Sequence, residues 1–373
     1  MKVIHILHSL KYSGAEIMYV DAAELFRNLG CELSVVATAT DLGEYAPFFE
    51  NAGYKIFHLP IPSFKNYFRR LRYYFSIIRL LKVDKYDVIH IHSHDTMFGM
   101  AFCGWMAKVQ PVYTFHSVFP TKSLTYPYHV IKRWIAKQIF NCRFQAISDS
   151  VYNHELKFYH NNTTKIYNWI NNRRYFPALK GEKKEIRNEL DMAPGAFVII
   201  SVGGCNVGKQ HSDIINAMPV ILKKIPDCYY LHLGNGDLES AERQLAIDLQ
   251  IADRVIFCGN REDVRKYLIA SDVFLMPSHY EGFSLTTVEA MACGIPAILY
   301  DVPGLRDFNK HGIHSILIKE DYNLIAENVL FIYSNPDDGN AMARSAKSFV
   351  DKNFNMEQNV KQIYELYKTK TRR

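Results

Sequence analysis

Twelve short apolar runs, each bounded by turns or by segments of helical period, set the limits on how this chain can fold. In the first half they are KVIHIL, ELSVVAT, KIFHLP, DVIHIHS, PVYTFHS and FQAIS; in the second, FVIISVGG, YYLHLGNG, RVIFCG, VFLMPS, PAILYD and SILIK. Between the first two, Ala15 to Leu29 carries Met18, Ala22, Leu25 and Leu29 on one helical face and stops at Gly30. Strands alternating with such helices predict parallel sheets covered on both faces. The stretch NWINNRRYFPALKGEKKE contains no such run, and the pattern restarts after it. The expected fold class is α/β: two Rossmann-like, doubly wound parallel-sheet domains facing each other across a cleft. The first is expected over residues 1–170 and the second over 171–355. The final stretch, 356–373, places Met356, Val360, Ile363 and Tyr367 on one stripe and reads as a helix.

Doubly wound sheets bind ligands beyond the carboxyl ends of their strands, so the chemistry is expected in the loops that follow strands. In HSLKYSGAEIMYV, Gly14 directly precedes a helix, where backbone N–H groups could meet an anion or where the chain merely turns. YTFHSVFP places His116 at a strand end, as a structural or a cleft-facing histidine. In SVGGCNVGKQ, Gly203, Gly204 and Gly208 allow close backbone approach, and Lys209 supplies a point charge suited to a diphosphate. Gln210 after that lysine separates the segment from the G-x-x-x-x-G-K-[ST] nucleotide loop.

SHYEGFSLTTVEAMACGIP holds Glu281 and Glu289 around an expected helix that begins near Ser284 to Thr286 and stops at Gly294, with Pro296 beyond. At 1.5 Å per residue, Glu289 lies about 7 Å further along the axis than Ser284, with the free N–H groups of the first turn between the two acids. An anion site flanked by two hydrogen-bond acceptors matches the layout of a nucleotide sugar. Neither acid has a lysine or arginine near it in sequence, so each is expected to face hydroxyl groups rather than a cation. The other reading stays open on spacing alone: Thr286-x-x-Glu289 as a capping box, and Glu281 as a surface turn residue.

The block EGFSLTTVEAMACGIPAILYDVPG resembles the E-x7-E region of the retaining glycosyltransferases of family 4 (glycosyl transferases group 1), which have the GT-B fold. YSGAE, DVIHIHS, YTFHS, AISDS, NWINNRRYFP, SVGGCNVGKQ, HLGNGDL and VIFCGNREDVRKYLIASDVFLMPS resemble other segments of that family in the same order, so the likeness covers essentially the whole chain. It implies that Glu281 contacts the donor sugar's hydroxyls and that the backbone from Gly282 through Phe283 and Ser284 to Leu285 holds sugar and phosphate. Glu289 would take the ribose hydroxyls, Lys209 the diphosphate, Gly14 a phosphate, and His116 the sugar near the reacting carbon. Asn260 and Arg261 would edge the base. Gly204 stands where the family commonly has an arginine, which removes one phosphate-neutralising charge. The final helix resembles one that crosses back to the first domain; a helix capping the second domain is the alternative.

The resemblance implies transfer of a hexose or N-acetylhexosamine from a UDP-sugar, with retention, to a saccharide or polyprenyl-linked acceptor in surface polysaccharide assembly. A nucleotide-sugar epimerase of the same fold and a non-catalytic nucleotide-sugar binding protein are the alternatives. No D-x-D triplet occurs, so no metal and no cofactor are expected, the nucleotide sugar being a substrate. The seven cysteines form no C-x-x-C pair, so neither a disulfide framework nor a cysteine zinc site is indicated and a cytoplasmic setting is expected. The excess charge lies entirely in residues 1–170, net +7 against −1 for the rest. Much of it is in FKNYFRRLRYYFSIIRLLK, Phe64 to Lys82, which has six basic residues and no acid. As a helix this segment either lies on an anionic membrane surface or packs in the core behind a solvated basic face. Peripheral association with the inner face of the membrane is expected on the first reading. Nucleic acid is not, because no binding motif accompanies the charge.

Overall fold

The computed structural model describes residues 1–373 except 64, 119–124, 194, 310–311 and 370–373. Phe64 of the basic segment and the last four residues of the expected terminal helix lie outside the described residues. The chain divides into two compact units, one formed by Met1–Asn171 with the segment from Met356 onward, the other by Asn172–Asn355.

The first unit holds seven strands: β1 (Lys2–Leu7), β2 (Glu32–Ala37), β3 (Lys55–His58), β4 (Val88–Ile91), β5 (Gln110–Phe115), β6 (Arg143–Ala146) and β7 (Thr164–Lys165). The second holds six: β8 (Phe197–Val202), β9 (Cys228–Leu233), β10 (Val255–Gly259), β11 (Val273–Met276), β12 (Ala297–Tyr300) and β13 (Ile316–Ile318). The sheet orders are β3-β2-β1-β4-β5-β6-β7 and β10-β9-β8-β11-β12-β13, and the strand pairs are parallel. Helices cover both faces of each sheet, so the strand interiors are apolar and sealed: Val3, Ile4, Ile6, Val198, Ile199 and Ile200 have no exposure. In each sheet the chain runs outward from its first strand and then returns to that strand's other side. The order therefore reverses between β1 and β4 and between β8 and β11, the positions where such folds bind.

All twelve apolar runs contain strands. One element differs from expectation: Ala15 to Leu29 forms two helices, Gly14–Asp21 and Ala23–Asn28, that meet at Ala22 (φ −85°, ψ −4°). Hydrogen bonds still cross that point, from Ala22 N–H to Met18 O and from Phe26 N–H to Ala22 O. Met18, Ala22 and Phe26 accordingly stay buried along one face.

The helix Met356–Lys368 buries Val360, Ile363, Leu366 and Tyr367 in the first unit's core. Arg143 caps its end by donating to the carbonyls of Leu366 (2.6 Å) and Tyr367 (3.0 Å). Tyr367 OH meets His90 Nδ1 at 2.6 Å, His90 Nε2 meets Thr114 Oγ1 at 2.7 Å, and Thr114 donates to Gln145 Oε1 at 2.6 Å. Because the threonine hydroxyl donates to Gln145, it accepts from His90 Nε2–H. Tyr367 must then donate to Nδ1, and one neutral tautomer is fixed. Trp169, 1% exposed, donates to Met18 O at 3.2 Å and joins the end of the first unit to its first helix.

The basic segment forms the helix Tyr67–Val83, and both of its expected faces are present. Tyr73, Ile77, Ile78 and Leu81 are buried, while Tyr67, Phe68, Leu71 and Phe75 point outward among exposed Arg69, Arg72, Arg79 and Lys82.

Candidate active site

In the second unit the loops after β8 and β11 emerge side by side because these strands pair, Val273 opposite Ile199 and Phe274 opposite Ile200. This brings Lys209 to Glu281: the ammonium lies 2.5 Å from Glu281 Oε1, with the two side chains 25% and 13% exposed. The expectation that Glu281 has no cationic partner is therefore wrong. Sequence distance concealed the partner, since the two residues are 72 positions apart and only the reversal of strand order makes them neighbours. Ser278, which sequence reading did not single out, donates to the same carboxylate oxygen at 3.1 Å.

The loop carrying Lys209 is held by its own backbone and by Asn206. Lys209 N–H donates to Asn206 O, Gly208 N–H to Asn206 Oδ1, and Asn206 Nδ2 to Gly204 O, at 3.0–3.1 Å. His279 N–H reaches Gly208 O at 3.0 Å and ties this loop to the one bearing Glu281. At Gly203 an added Cβ would sit 3.3 Å from Lys209 Cε, so the glycine leaves room for the lysine stem to cross it. At Gly204 the same atom would lie 3.0 Å from Asn235 O, so an arginine there requires the loop to move as well as supplying a charge. Gly304 (φ +86°) supports the other side. Its Cβ position is 2.3 Å from Glu281 O, and no side chain fits between that turn and the glutamate's backbone.

The helix after Glu281 spans Leu285–Ala292, and Ser284 is its N-cap, accepting from Thr287 N–H at 3.3 Å and from Thr287 Oγ1 at 2.8 Å. Thr286 is the second helical residue, not a cap, so the Thr286-x-x-Glu289 capping box is not formed. The amides of Leu285 and Thr286 have no carbonyl within the helix to pair with, and they sit at its positive end. Gly282 and Phe283 are buried. The Phe283 ring packs 5.2 Å from both Phe308 and Phe354, so its side chain is committed to the core. Glu289 lies one turn further along, half-buried. Asn260 and Arg261 are exposed at the carboxyl end of β10, and Arg261 Nε donates to Cys258 O at 2.8 Å.

In the first unit Gly14 is the first residue of its helix, but Ser13 donates to Glu16, whose carboxyl is raised by burial, so the chain already places an acid at that helix end. His116 follows β5, and its Nε2 lies 3.1 Å from His92 Nδ1, while His92 Nε2 lies 3.0 Å from His5 Nδ1. Burial pushes His116 down to about 4 and His5 to about 3, and holds His90 and His92 well below the usual value, helped by the fields of neighbouring imidazoles. At neutral pH the row is uncharged. Sequence reading picked out His116 alone; the alternation of histidines in DVIHIHS was the signal for His90 and His92.

The family profile described as "Glycosyl transferases group 1" matches residues 182–349, and that described as "Glycosyltransferase Family 4" matches residues 12–174. N-acetyl-alpha-D-glucosaminyl L-malate synthase of Bacillus anthracis is 27% identical over 295 residues, 76% of this chain and 75% of that protein. UDP-Gal:alpha-D-GlcNAc-diphosphoundecaprenol alpha-1,3-galactosyltransferase of Escherichia coli is 24% identical over 98% of this chain and 96% of that protein. Among solved structures, Anabaena Alr3699/HepE in complex with UDP and glucose superposes with a TM-score of 0.82 at 19% identity, over 99% of this chain and 100% of that one.

Proposed function

We propose, from the premise that this chain belongs to the family 4 glycosyltransferases and has their two-unit, Rossmann-like GT-B fold, that it moves a hexose or N-acetylhexosamine from a UDP-sugar to a lipid-linked or oligosaccharide acceptor, with retention. The observation that carries this reading is the meeting of Lys209 and Glu281 at the switch point of the second sheet, beside the open helix start at Leu285. Breaking the bond between an anomeric carbon and a diphosphate oxygen leaves negative charge on that oxygen. The ammonium of Lys209 and the first-turn amides are the groups placed to stabilise it. The acceptor oxygen bonds to the anomeric carbon from the face the phosphate leaves, and the acceptor proton passes to the departing phosphate oxygen, so no carboxylate nucleophile is required. Glu281 then orients sugar hydroxyls and holds Lys209. A diphosphate that takes Lys209 must draw it from Glu281 or share it, which couples donor binding to release of that carboxylate for the sugar. In this reading Glu289 takes the ribose, Asn260 and Arg261 edge the base, and in the first unit Gly14 and His116 serve a phosphate and the sugar. The Escherichia coli relative, whose name gives a UDP-Gal donor and a diphosphoundecaprenol-linked acceptor, supports both a UDP donor and a lipid-linked acceptor.

The division of labour between the two acids is the test. Glu281→Ala is expected to lower kcat about 100-fold while changing UDP affinity less than about threefold. Glu289→Ala is expected to weaken UDP binding about tenfold or more, the loss of a charge-assisted hydrogen bond. Steady-state kinetics and calorimetry with UDP separate the two, and wild-type values for both variants would remove the assignment.

No helix among the described residues is long and apolar enough to cross a membrane. Peripheral docking is carried instead by Tyr67, Phe68, Leu71 and Phe75, which are exposed beside four cationic side chains, an arrangement suited to an anionic headgroup layer. The chain should float with phosphatidylglycerol vesicles and not with phosphatidylcholine vesicles. Changing Arg69, Arg72 and Arg79 to glutamate should abolish flotation; unchanged partition sinks the docking role.

A further inference from the structure

Directly beneath the Lys209 loop, on the side where its chain enters and leaves, four side chains of different elements converge: Cys205, His211, His232 and Glu242. They are 0%, 0%, 0% and 4% exposed, and one ligating atom from each lies within 4.8 Å of every other. Cys205 follows β8, His211 opens the helix His211–Leu222, His232 is in β9, and Glu242 lies in the first turn of the helix Glu239–Asp248.

Two observations separate this cluster from an ordinary buried polar network. Both ring nitrogens of the fully buried His211, and Glu242 Oε2, have no hydrogen-bond partner, although buried polar groups of this kind are nearly always paired. Two of the distances are also too long for hydrogen bonds: His211 Nδ1 is 3.7 Å from Glu242 Oε1, and His232 Nδ1 is 3.8 Å from Glu242 Oε2. Cys205 Sγ lies 3.7 and 3.8 Å from the two ring nitrogens of His232, a weak thiol contact. With metal–nitrogen bonds of about 2.1 Å and metal–sulfur bonds of about 2.3 Å, the edges of a tetrahedron are roughly 3.4–3.6 Å, close to these separations. His232 Nε2 lies 3.2 Å from Gly203 O and can donate to it, which leaves Nδ1, 3.8 Å from Glu242 Oε2, as the nitrogen available for ligation.

The histidine row of the first unit makes the contrast. Although His5, His90 and His92 also cluster, His90 spends both ring nitrogens on Tyr367 and Thr114, and His5 and His92 bond each other. Five of the six ring nitrogens of that cluster are paired within the chain, His5 Nε2 being the exception, whereas His211 has neither of its two paired.

We propose that Cys205, His211, His232 and Glu242 form a closed, four-ligand zinc site that fixes the Lys209 loop to β9 and to the helix Glu239–Asp248. One sulfur, two imidazole nitrogens and a carboxylate oxygen match zinc's ligand preference, and four protein ligands leave no open position for substrate. The site is structural and does not enter the transfer step. It departs from the sequence expectation of no metal, which rested on the lack of C-x-x-C and D-x-D motifs; here each ligand comes from a separate segment. Zinc takes a neutral imidazole and displaces the thiol proton to solvent, so its affinity falls as pH falls.

The untagged full-length chain, grown with zinc and desalted, should contain about one zinc per chain by plasma mass spectrometry. Extraction with dipicolinate should lower the melting temperature, and zinc but not magnesium should restore it. Cobalt(II) added to the extracted protein should give the visible absorption of a tetrahedral site with a sulfur-to-cobalt charge-transfer band, and Cys205→Ser should remove that band. If Cys205→Ser fails to fold, Glu242→Gln tests the same claim through a weakened cobalt spectrum. Protein that is metal-free after zinc growth and whose melting temperature ignores added zinc overturns the site. So does a cobalt spectrum that Cys205→Ser and Glu242→Gln leave unchanged. Neither result bears on whether UDP binds, so this site and the transferase reading fail separately.

Discussion

Lys209→Ala is expected to lower kcat by about 10²–10³-fold, the range seen when one group that stabilises a developing oxyanion is removed. The size follows from position: the ammonium is three-quarters buried beside Glu281, at the point where a leaving phosphate would gather charge, and a partly desolvated charge acts more strongly there than in water. The same substitution leaves Glu281, 13% exposed, without the cation that holds its carboxylate in place, which weakens its hold on sugar hydroxyls. Lys209→Arg keeps the charge but needs more room where Gly203 lets the lysine stem pass, so it should recover only part of the activity. Affinity for UDP should fall much less than kcat in both variants. If Lys209→Ala retained kcat within about threefold, the lysine would not touch the leaving group.

Acid should unfold the first unit well before the second. His5, His90 and His92 are buried and held neutral in the fold, with His5 pushed to about 3 and the other two well below the usual value. Unfolded, each takes a proton near pH 6.5, so the folded state binds fewer protons below that pH. The stability these groups allow is fully present above about 6.5 and is lost as pH falls toward their folded values. Each group costs up to about 1.4 kcal/mol per pH unit, so three cost roughly 4 kcal/mol between pH 6 and 5, a large share of a typical stability of about 5–15 kcal/mol. Among the described residues of the second unit, only His232 is depressed in the same way, to about 4. Urea unfolding at pH 7.5, 6.0 and 5.0, with amide exchange read by mass spectrometry, should show protection lost first in β1, β4 and β5. Stability that is flat or rising from pH 7.5 to 5.0 would contradict the neutral histidine core.

The alternation of apolar runs with helical segments was enough to read two parallel sheets, because strands buried on both faces are apolar throughout and helices between them stop at signals such as Gly30 and Gly294. The helix after Glu281 was legible for the same reason, since Ser284 and Gly294 are strong end signals. What sequence hid were contacts that depend on strand order. Sequence alone points to Lys209 as a phosphate ligand and to Glu281 as an acid with no cation, yet β8 and β11 pair and make the two an ion pair. Cys205, His211, His232 and Glu242 were invisible as a group because β9 and two helix starts bring them together, and no local spacing marks that. Ala22 shows a smaller limit, where periodicity gave the face correctly and missed the break.

Thermal unfolding of the full chain with a panel of nucleotides tests the central claim most directly, since a ligand that binds the folded state raises its stability by about 2.7 kcal/mol at 100 times its dissociation constant. UDP and UDP-sugars should raise the melting temperature in a dose-dependent way, more than GDP, ADP or CMP, and Glu289→Ala should need at least about tenfold more UDP for the same shift. No shift with any nucleotide or nucleotide sugar, or an unchanged UDP response in Glu289→Ala and Lys209→Ala alike, would contradict a UDP-sugar site built on these residues.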